Sequence, residues 1–384
     1  MAKHARLNPS SAKRWTTCRM AVVLDDRLRA KNGGELPEED SFAASVLGST
    51  VHEYASDMIK LSYQTGGRDK VSADRIEHIE RGLTKSELKY GDVYVDWALD
   101  FLGQFREDEI FWNVETSFPL WYEPESHGTA DFWAVNKMTR TLTICDFKNG
   151  FVEVDPFDNL QLAIYGIAAY DKMKHFCEIE HIELGICQPS ARHVPSWWCI
   201  DLEELEHIRI QITRAVREIN EPIMPPKFAP DEDACRWCRH KARCPGIVEK
   251  MVADLVDYDE QRKLIDDDRL CEIVSNRELY RSYLNSAEAA ARKLPAGTLL
   301  AHEMKMVQGN RRFSWVDEES AAARLASIGV RPYTEVLKSP AAAKKELGGD
   351  DQILDLISTR HNKPLLVPAD DRRPALETTT EERE

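Results

Sequence analysis

At 384 residues the chain has room for one large domain or a core domain with a smaller appendage, and its apolar (42%) and charged (30%) fractions are those of a soluble globular protein. No run approaches the length of a membrane span, and Met1-Ala2-Lys3-His4 lacks the apolar core of a signal peptide. A cytoplasmic location with no membrane partner is therefore expected. The formal net charge of −15 would argue against a nucleic-acid partner only if the basic residues were evenly spread, because binding depends on the local field over a groove.

They are grouped. Residues 1–31 carry Lys3, Arg6, Lys13, Arg14, Arg19, Arg27, Arg29 and Lys31 against Asp25 and Asp26 alone, and they include Cys18. Residues 31–40 read as a surface loop. From Phe42 onward, Val46, Leu47, Val51, Ala55, Met58 and Ile59 recur at helical spacing, and that helix carries Gly48, His52 and Glu53. Residues 113–120 alternate apolar and polar like a strand, with Glu115 as an additional acid for any site formed nearby.

Gly128-Thr129-Ala130-Asp131 runs into the aromatic stretch 132–135, a polar break follows at 136–139, and residues 142–145 lead to Asp146-Phe147-Lys148. This predicts a β-hairpin. With its turn centred on Lys137 and Met138, Asp131 falls opposite Ile144, and Asp146 and Lys148 follow on the same face because strand side chains alternate. Two carboxylates and an ammonium on one side of a sheet are costly in a core, whereas a divalent ion and a phosphate would neutralise them.

Pro156 and Asp158 signal a helix start before Asn159-Leu160-Gln161-Leu162-Ala163-Ile164-Tyr165-Gly166. Gln161 and Tyr165, four apart, share a face, and Leu160, Ile164 and Ile167 are free to face a core. Residues 182–187 and 197–200 suggest a second hairpin around Gln188-Pro189-Ser190, and 202–219 a strongly charged helix. Helices flanking a central mixed sheet make the expected fold class α/β.

Cys235, Cys238 and Cys244 form C-x2-C-x5-C inside a run that also holds Arg236, Arg239, Lys241 and Arg243 with no acid. Nine cysteines in a cytosolic chain do not read as structural disulfides, and this spacing is that of metal ligands. Three thiolates leave a tetrahedral ion or a cluster one ligand short. Cys18 is the candidate fourth, with Cys271 and His240 as alternatives, and coordination number alone does not separate zinc from iron-sulfur. Cys145, Cys177, Cys187 and Cys199 read as small buried hydrophobes.

Beyond Gly246, residues 247–293 read as charged helix and 294–297 as a break. Residues 302–307 and 313–315 suggest a small hairpin around Gly309-Asn310, and 318–326 and 340–347 read as short helices. The segment 363–368 could dock on a partner, and the tail from 367 has too little apolar surface to offset chain entropy.

The ordered set Gly48/His52, Gly128/Asp131, Asp146/Lys148, Gln161/Tyr165 and then C-x2-C-x5-C with an N-terminal cysteine resembles the RecB-like branch of the PD-(D/E)XK nucleases. Within that branch the chain is similar to the iron-sulfur members, including CRISPR-associated RecB-like exonucleases and the AddB nuclease domain. Its layout resembles a phage and prophage family found in recombination modules. The resemblance implies a restriction-endonuclease-like core over residues 1–250 closed by a Cys-ligated cluster. A helical segment at 251–300, a small α+β region at 301–366 and the tail at 367–384 would form a helical C-terminal extension.

It further implies a Mg²⁺- or Mn²⁺-dependent DNA exonuclease, acting in phage recombination or DNA repair, in the bacterial host cytoplasm if phage-encoded. His52, Asp131, Asp146 and the backbone carbonyl of Phe147 would hold the ion, and Lys148 would orient water or offset charge on the phosphate. Cys18, Cys235, Cys238 and Cys244 would hold a 4Fe-4S cluster, with Zn²⁺ as the alternative, while Gln161, Tyr165, Arg14 and Arg19 would contact DNA. A single-strand annealing or single-strand-binding protein and a homo-oligomer are the implied partners. The competing expectations are a non-catalytic DNA-binding scaffold that keeps the nuclease fold, and a structure-specific endonuclease.

Overall fold

Five strands form one mixed sheet in which spatial order follows chain order: β1 (Ile110–Leu120), β2 (Glu123–Asn136), β3 (Thr141–Phe147), β4 (His181–Cys187) and β5 (Ser196–Asp201). The structure is a computed structural model that describes residues 6–37, 42–80, 82–192, 194–255 and 267–306, with positions 320, 323, 324 and 327. The helices are α1 (Ala12–Thr17), α2 (Arg19–Lys31), α3 (Phe42–Thr65), α4 (Ala73–Glu80), α5 (Lys85–Leu102), α6 (Leu160–Met173), α7 (Leu202–Asn220), α8 (Glu232–Arg236), α9 (Pro245–Leu255), α10 (Asp267–Ser275), α11 (Arg277–Ala291) and α12 (Ala296–Ala301). The chain divides into two units, Met1–Lys293 and Leu294–Glu384. The sheet lies in the first, and α12 in the second.

Pairing is antiparallel for β1–β2, β2–β3 and β4–β5, and parallel for β3–β4, where α6 supplies the crossover that a parallel pair requires. This is the expected α/β architecture of a mixed sheet flanked by helices. The central strands are apolar on both sides, which is why each face carries a core of its own. Phe132, Ala134, Cys145 and Phe147 pack with Val51, Ala55, Met58 and Ile59 of α3 and with Tyr94, Val95 and Ala98 of α5. Trp133, Val135, Leu142 and Ile144 pack with Leu162, Ile164 and Ile167 of α6 and with Leu205, Ile208 and Ile212 of α7. Burying each large side chain contributes about 1.5–3 kcal/mol, so the two layers fix the sheet before any ligand is considered.

Local signals set the helix starts. Thr84 and Glu87 form a reciprocal capping box at α5, the Asn159 side chain accepts from the amides of Gln161 and Leu162 at α6, and Asp201 caps α7 through Glu204. The predicted 202–219 helix and the helical character of 247–293 hold wherever those residues are described.

Three expectations need correction. The β2–β3 turn is displaced by one residue from the expected centre: the Asn136 side chain accepts from Met138 and Thr139 amides, and Arg140 takes a left-handed φ of +54°. The register therefore pairs Phe132 with Cys145 and Trp133 with Ile144, so Asp131 falls beside Asp146 and not Ile144. Of the four cysteines read as buried, Cys145 and Cys187 are; Cys177 is half-buried and Cys199 exposed, because alternation on the edge strand β5 sends Trp198 and Ile200 inward. Residues 302–306 do not form a strand, since the amides of His302 and Met304 fold back onto the Leu299 carbonyl at the end of α12. Positions 320, 323 and 324 of the predicted 318–326 helix are helical. Residues 313–315, 340–347, 363–368 and the tail from 367 lie outside the described residues.

Candidate metal centre and cysteine corner

Strands β1 and β2 both exchange faces midway. Ile110 and Val114 join the core beneath α3 and α5, whereas Phe118 and Leu120 join the one beneath α6 and α7; on β2, Ala130 joins the latter and Phe132 and Ala134 the former. Between these sets stand Glu115 and Asp131, cross-strand neighbours in a register that pairs Val114 with Phe132 and Thr116 with Ala130. Glu115 adopts φ +49°, a region that side-chain-bearing residues seldom enter. Left-handed backbone costs about 1–3 kcal/mol and directly opposed like charges add to it, so packing alone does not account for this pair.

His52 reaches the pair from α3. Its Nδ1 lies 3.3 Å from Asp131 Oδ1 and 3.5 Å from Glu115 Oε1. Burial would push the imidazole down, but Asp131 and Glu115 together outweigh it and raise its pKa to about 10. Without an ion the ring is thus a cation clamped by two carboxylates. Among the described residues, His52, Glu115 and Asp131 are the group whose ligand atoms all lie within 4.8 Å of one another.

Asp146 extends the cluster from β3. It is 2% exposed, and burial, opposed by Lys148 and reinforced by Asp131, raises its carboxyl to about 6. Its Oδ1 accepts from the Gln161 amide at 2.9 Å, while its Oδ2 has the Lys148 ammonium at 2.8 Å. Among the described residues, that ammonium is the one donor facing the buried Oδ2, which receives no further hydrogen bond. Lys148 Nζ also donates to Gln161 Oε1 at 3.2 Å. Burial would lower the lysine's pKa, but Asp146 and Asp131 hold it above its usual value.

The peptide between them is fixed too. Asp131 Oδ2 accepts the Phe147 amide at 2.7 Å, and the Phe147 ring stacks on Tyr94 with centroids 4.7 Å apart. On α6, the Gln161 amide also donates to the Tyr165 hydroxyl at 3.3 Å, so both residues of the predicted helical face stand at the site. Tyr165 is seated by Gly128, where an added Cβ would lie 2.9 Å from the tyrosine ring. The glycine three residues before Asp131 is thereby explained by packing. The surroundings of Gly48 lie outside the described residues.

An all-oxygen and imidazole donor set, three of whose ligand atoms lie within 4.8 Å of one another, fits a hard divalent cation such as Mg²⁺ or Mn²⁺. The Lys148 ammonium beside it fits an anionic substrate.

A second cluster lies where the N-terminal helices meet α8. Cys18, at the α1–α2 junction, lines a small cavity with Cys235, Cys238 and Cys244, and the thiol of Cys235 is raised to about 11 by burial and by the proximity of the other three. Cys271, one alternative fourth ligand, is exposed on α10. His240, the other, directs Nε2 at Asp25 Oδ1 over 2.8 Å. The 3%-exposed Asp25 also pairs with Arg14 at 3.1 Å, and Arg239 approaches at 3.7 Å. Burial opposes the charge on Asp25, yet these partners lower its pKa. Lys241 Nζ donates to the Arg236 carbonyl and to Ser282 on α11, each at 2.8 Å.

Arg14 is therefore engaged with Asp25, and Arg19 pairs with Glu218 at 3.0 Å. Both residues expected to contact DNA also pair with acids of this chain. Asp25 and Gln188 were not singled out by sequence, although each is a buried polar residue with several partners. Neither sits in a motif, and a single acid within a helix or amide after a strand carries no signal by spacing.

The family model for DUF2800, described as a protein of unknown function, matches residues 4–374. The chain belongs to that family. Among solved structures, it is similar to a candidate exonuclease from Eubacterium rectale at 12% identity, covering 58% of this chain and 84% of that one with a TM-score of 0.29. It is also similar to the protein SSO0001 at 14% identity, covering 58% and 94% with a TM-score of 0.23. Neither likeness is close enough to assign chemistry.

Proposed function

We propose that this member of DUF2800 is a metal-dependent DNA exonuclease of the RecB-like PD-(D/E)XK type. The observation that carries the reading is the convergence of His52, Glu115 and Asp131 beside a buried Asp146 carboxylate that faces the Lys148 ammonium. His52, Asp131, Asp146 and the Phe147 carbonyl would hold Mg²⁺ or Mn²⁺, with Glu115 as a further oxygen donor. When bound, such an ion polarises a phosphoryl oxygen and acidifies water. Lys148 orients that water or offsets charge growing on the phosphate, and Gln161 keeps Lys148 and Asp146 in register by touching both.

Cys18, Cys235, Cys238 and Cys244 would hold a 4Fe-4S cluster of structural purpose. Zn²⁺ is the alternative at the same four thiols. The setting that fits is a cytoplasmic one, phage recombination or repair, with a strand-annealing or single-strand-binding protein as partner. No helix of the described residues is long and apolar enough to cross a membrane.

The full chain incubated with linear DNA and Mg²⁺ or Mn²⁺ is expected to degrade it, and Asp146→Ala to bind without cutting. Intact DNA under both ions, with Asp146→Ala binding as well as the unsubstituted chain, would make it a DNA-binding scaffold. Circular single-stranded DNA separates the remaining alternative, since an obligate exonuclease spares it and an endonuclease does not. A brown protein containing iron and sulfide supports the cluster; a colourless one containing zinc refutes it.

A further inference from the structure

Residues 149–159, which run from Lys148 to α6, form a connection longer than the two to six residues usual between a strand and a helix. It leaves the site and returns to it. Lys148 precedes it and Gln161 follows it, their side chains 3.2 Å apart and both on Asp146. The loop therefore starts and ends at the candidate centre.

Its apolar residues point outward. Phe151 is 81% exposed, Phe157 71% and Val152 53%. This loop is pinned. Gln188, 4% exposed at the end of β4, donates Nε2 to the Gly150 and Val152 carbonyls at 2.6 and 2.7 Å, and its Oε1 accepts the Val154 amide at 2.9 Å. Ser190 Oγ donates to the same Gly150 carbonyl at 2.5 Å, and Arg192 pairs with Glu153. A buried amide bound to three backbone groups holds a loop whose aromatic side chains stand in solvent, on the stretch of chain that joins Lys148 to Gln161.

We propose that Phe151 and Phe157 form a base-stacking platform for single-stranded nucleic acid entering that site, so that the preferred substrate is a single-stranded or frayed end. The inference rests on the nuclease reading. Stacking needs unpaired bases, and every base offers a face, so recognition is independent of sequence. The loop's own charges assign the polarity of contact. Asp155 and Asp158 disfavour phosphate against the loop, whereas Lys148 favours it at the centre, so bases face the phenylalanines and the backbone faces the lysine. Phe157 also leans on Trp198, with centroids 5.8 Å apart, which stiffens the second ring.

The test uses the full chain with Phe151→Ala, Phe157→Ala, the double variant and Phe151→Tyr, with a single-stranded oligonucleotide carrying 2-aminopurine near its end, in EDTA so that nothing is cut. The unsubstituted chain and Phe151→Tyr should quench the fluorophore, and the double variant should not. With Mg²⁺, KM for frayed ends should rise about tenfold per ring removed, with kcat within about twofold and blunt duplex unaffected. Undiminished quench and unchanged KM in the double variant overturn the platform while leaving the nuclease reading intact. If the unsubstituted chain cuts no DNA, the nuclease reading fails and the quench decides the platform by itself. A double variant that loses self-association but binds the oligonucleotide as before makes the loop a protein contact and overturns the proposal.

Discussion

The donors at the sheet come from elements that form whether or not an ion is present. Asp131 and Asp146 lie on paired strands, His52 and Gln161 on helices whose apolar faces build the two cores, and the polar atoms already occupy one another at 2.7–3.3 Å. The cysteine corner is assembled differently. Cys18 and the run 235–244 are far apart in the chain and meet beside small satellite packing of Cys235, Ile247, Leu279 and Tyr280. Its largest polar anchor is one buried aspartate. Removing an ion from the first region should cost chemistry and spare the fold, whereas removing a cofactor from the second should cost the fold.

The largest effect expected is on activity. Asp146→Ala should lower cleavage on the order of a thousandfold or more, and Lys148→Ala by on the order of a hundredfold, with little change in thermal unfolding. A melting point that falls as steeply as the rate would erase the distinction between the regions. At the corner, Cys18→Ala should lose bound metal together with about 4 kcal/mol, the scale for closing a very long loop. Metal analysis and denaturant titration on the same preparation check this, and unaltered metal content would remove Cys18 from the ligand set.

Asp25→Ala should cost about 3–5 kcal/mol in denaturant titration, because it leaves Arg14 and His240 charged or polar without their buried partner. Its pKa is lowered in the fold, so its contribution is complete above the ordinary carboxylate value and is lost as pH falls through the lowered one. Asp25→Asn at neutral pH should be intermediate. A variant as stable as the parent would transfer the anchoring to the thiols alone.

The smallest effect sharpens the sheet site. With its pKa near 10, His52 is protonated at neutral pH without an ion; this stabilises the ion-free fold fully below the imidazole's ordinary value and is lost as pH rises through about 10. An ion requires the neutral ring, so Mn²⁺ binding should release about one proton and tighten with rising pH. Titration calorimetry in buffers of different ionisation heats reads the release. Binding without release, or weakening with pH, would place the ion away from His52.

Much of this was legible because it rests on local rules. Alternation located the strands, the 3.6-residue period located α3, α6 and α7, and the spacing of Asp131, Asp146, Lys148, Gln161 and Tyr165 named side chains that do converge. The hairpin register was misjudged, since a single side-chain-capped turn at Asn136 moves the pairing without altering the pattern of apolar residues. That Arg14 and Arg19 pair with Asp25 and Glu218 was not legible, because basic clustering along a chain does not reveal which acids the fold brings beside it.

By itself the sequence determined the α/β framework, the face of the hairpin bearing the acids and the set of thiols able to meet, because periodicity and ligand spacing are short-range properties. Only the tertiary structure decided that Glu115 faces Asp131 through a left-handed residue, that His52 is clamped between them, that Asp25 anchors the cysteine corner and that Gln188 holds Phe151 in solvent. Each of those depends on groups from different elements sharing one desolvated place, where Coulomb and hydrogen-bond energies are set by distances that no spacing along the chain encodes.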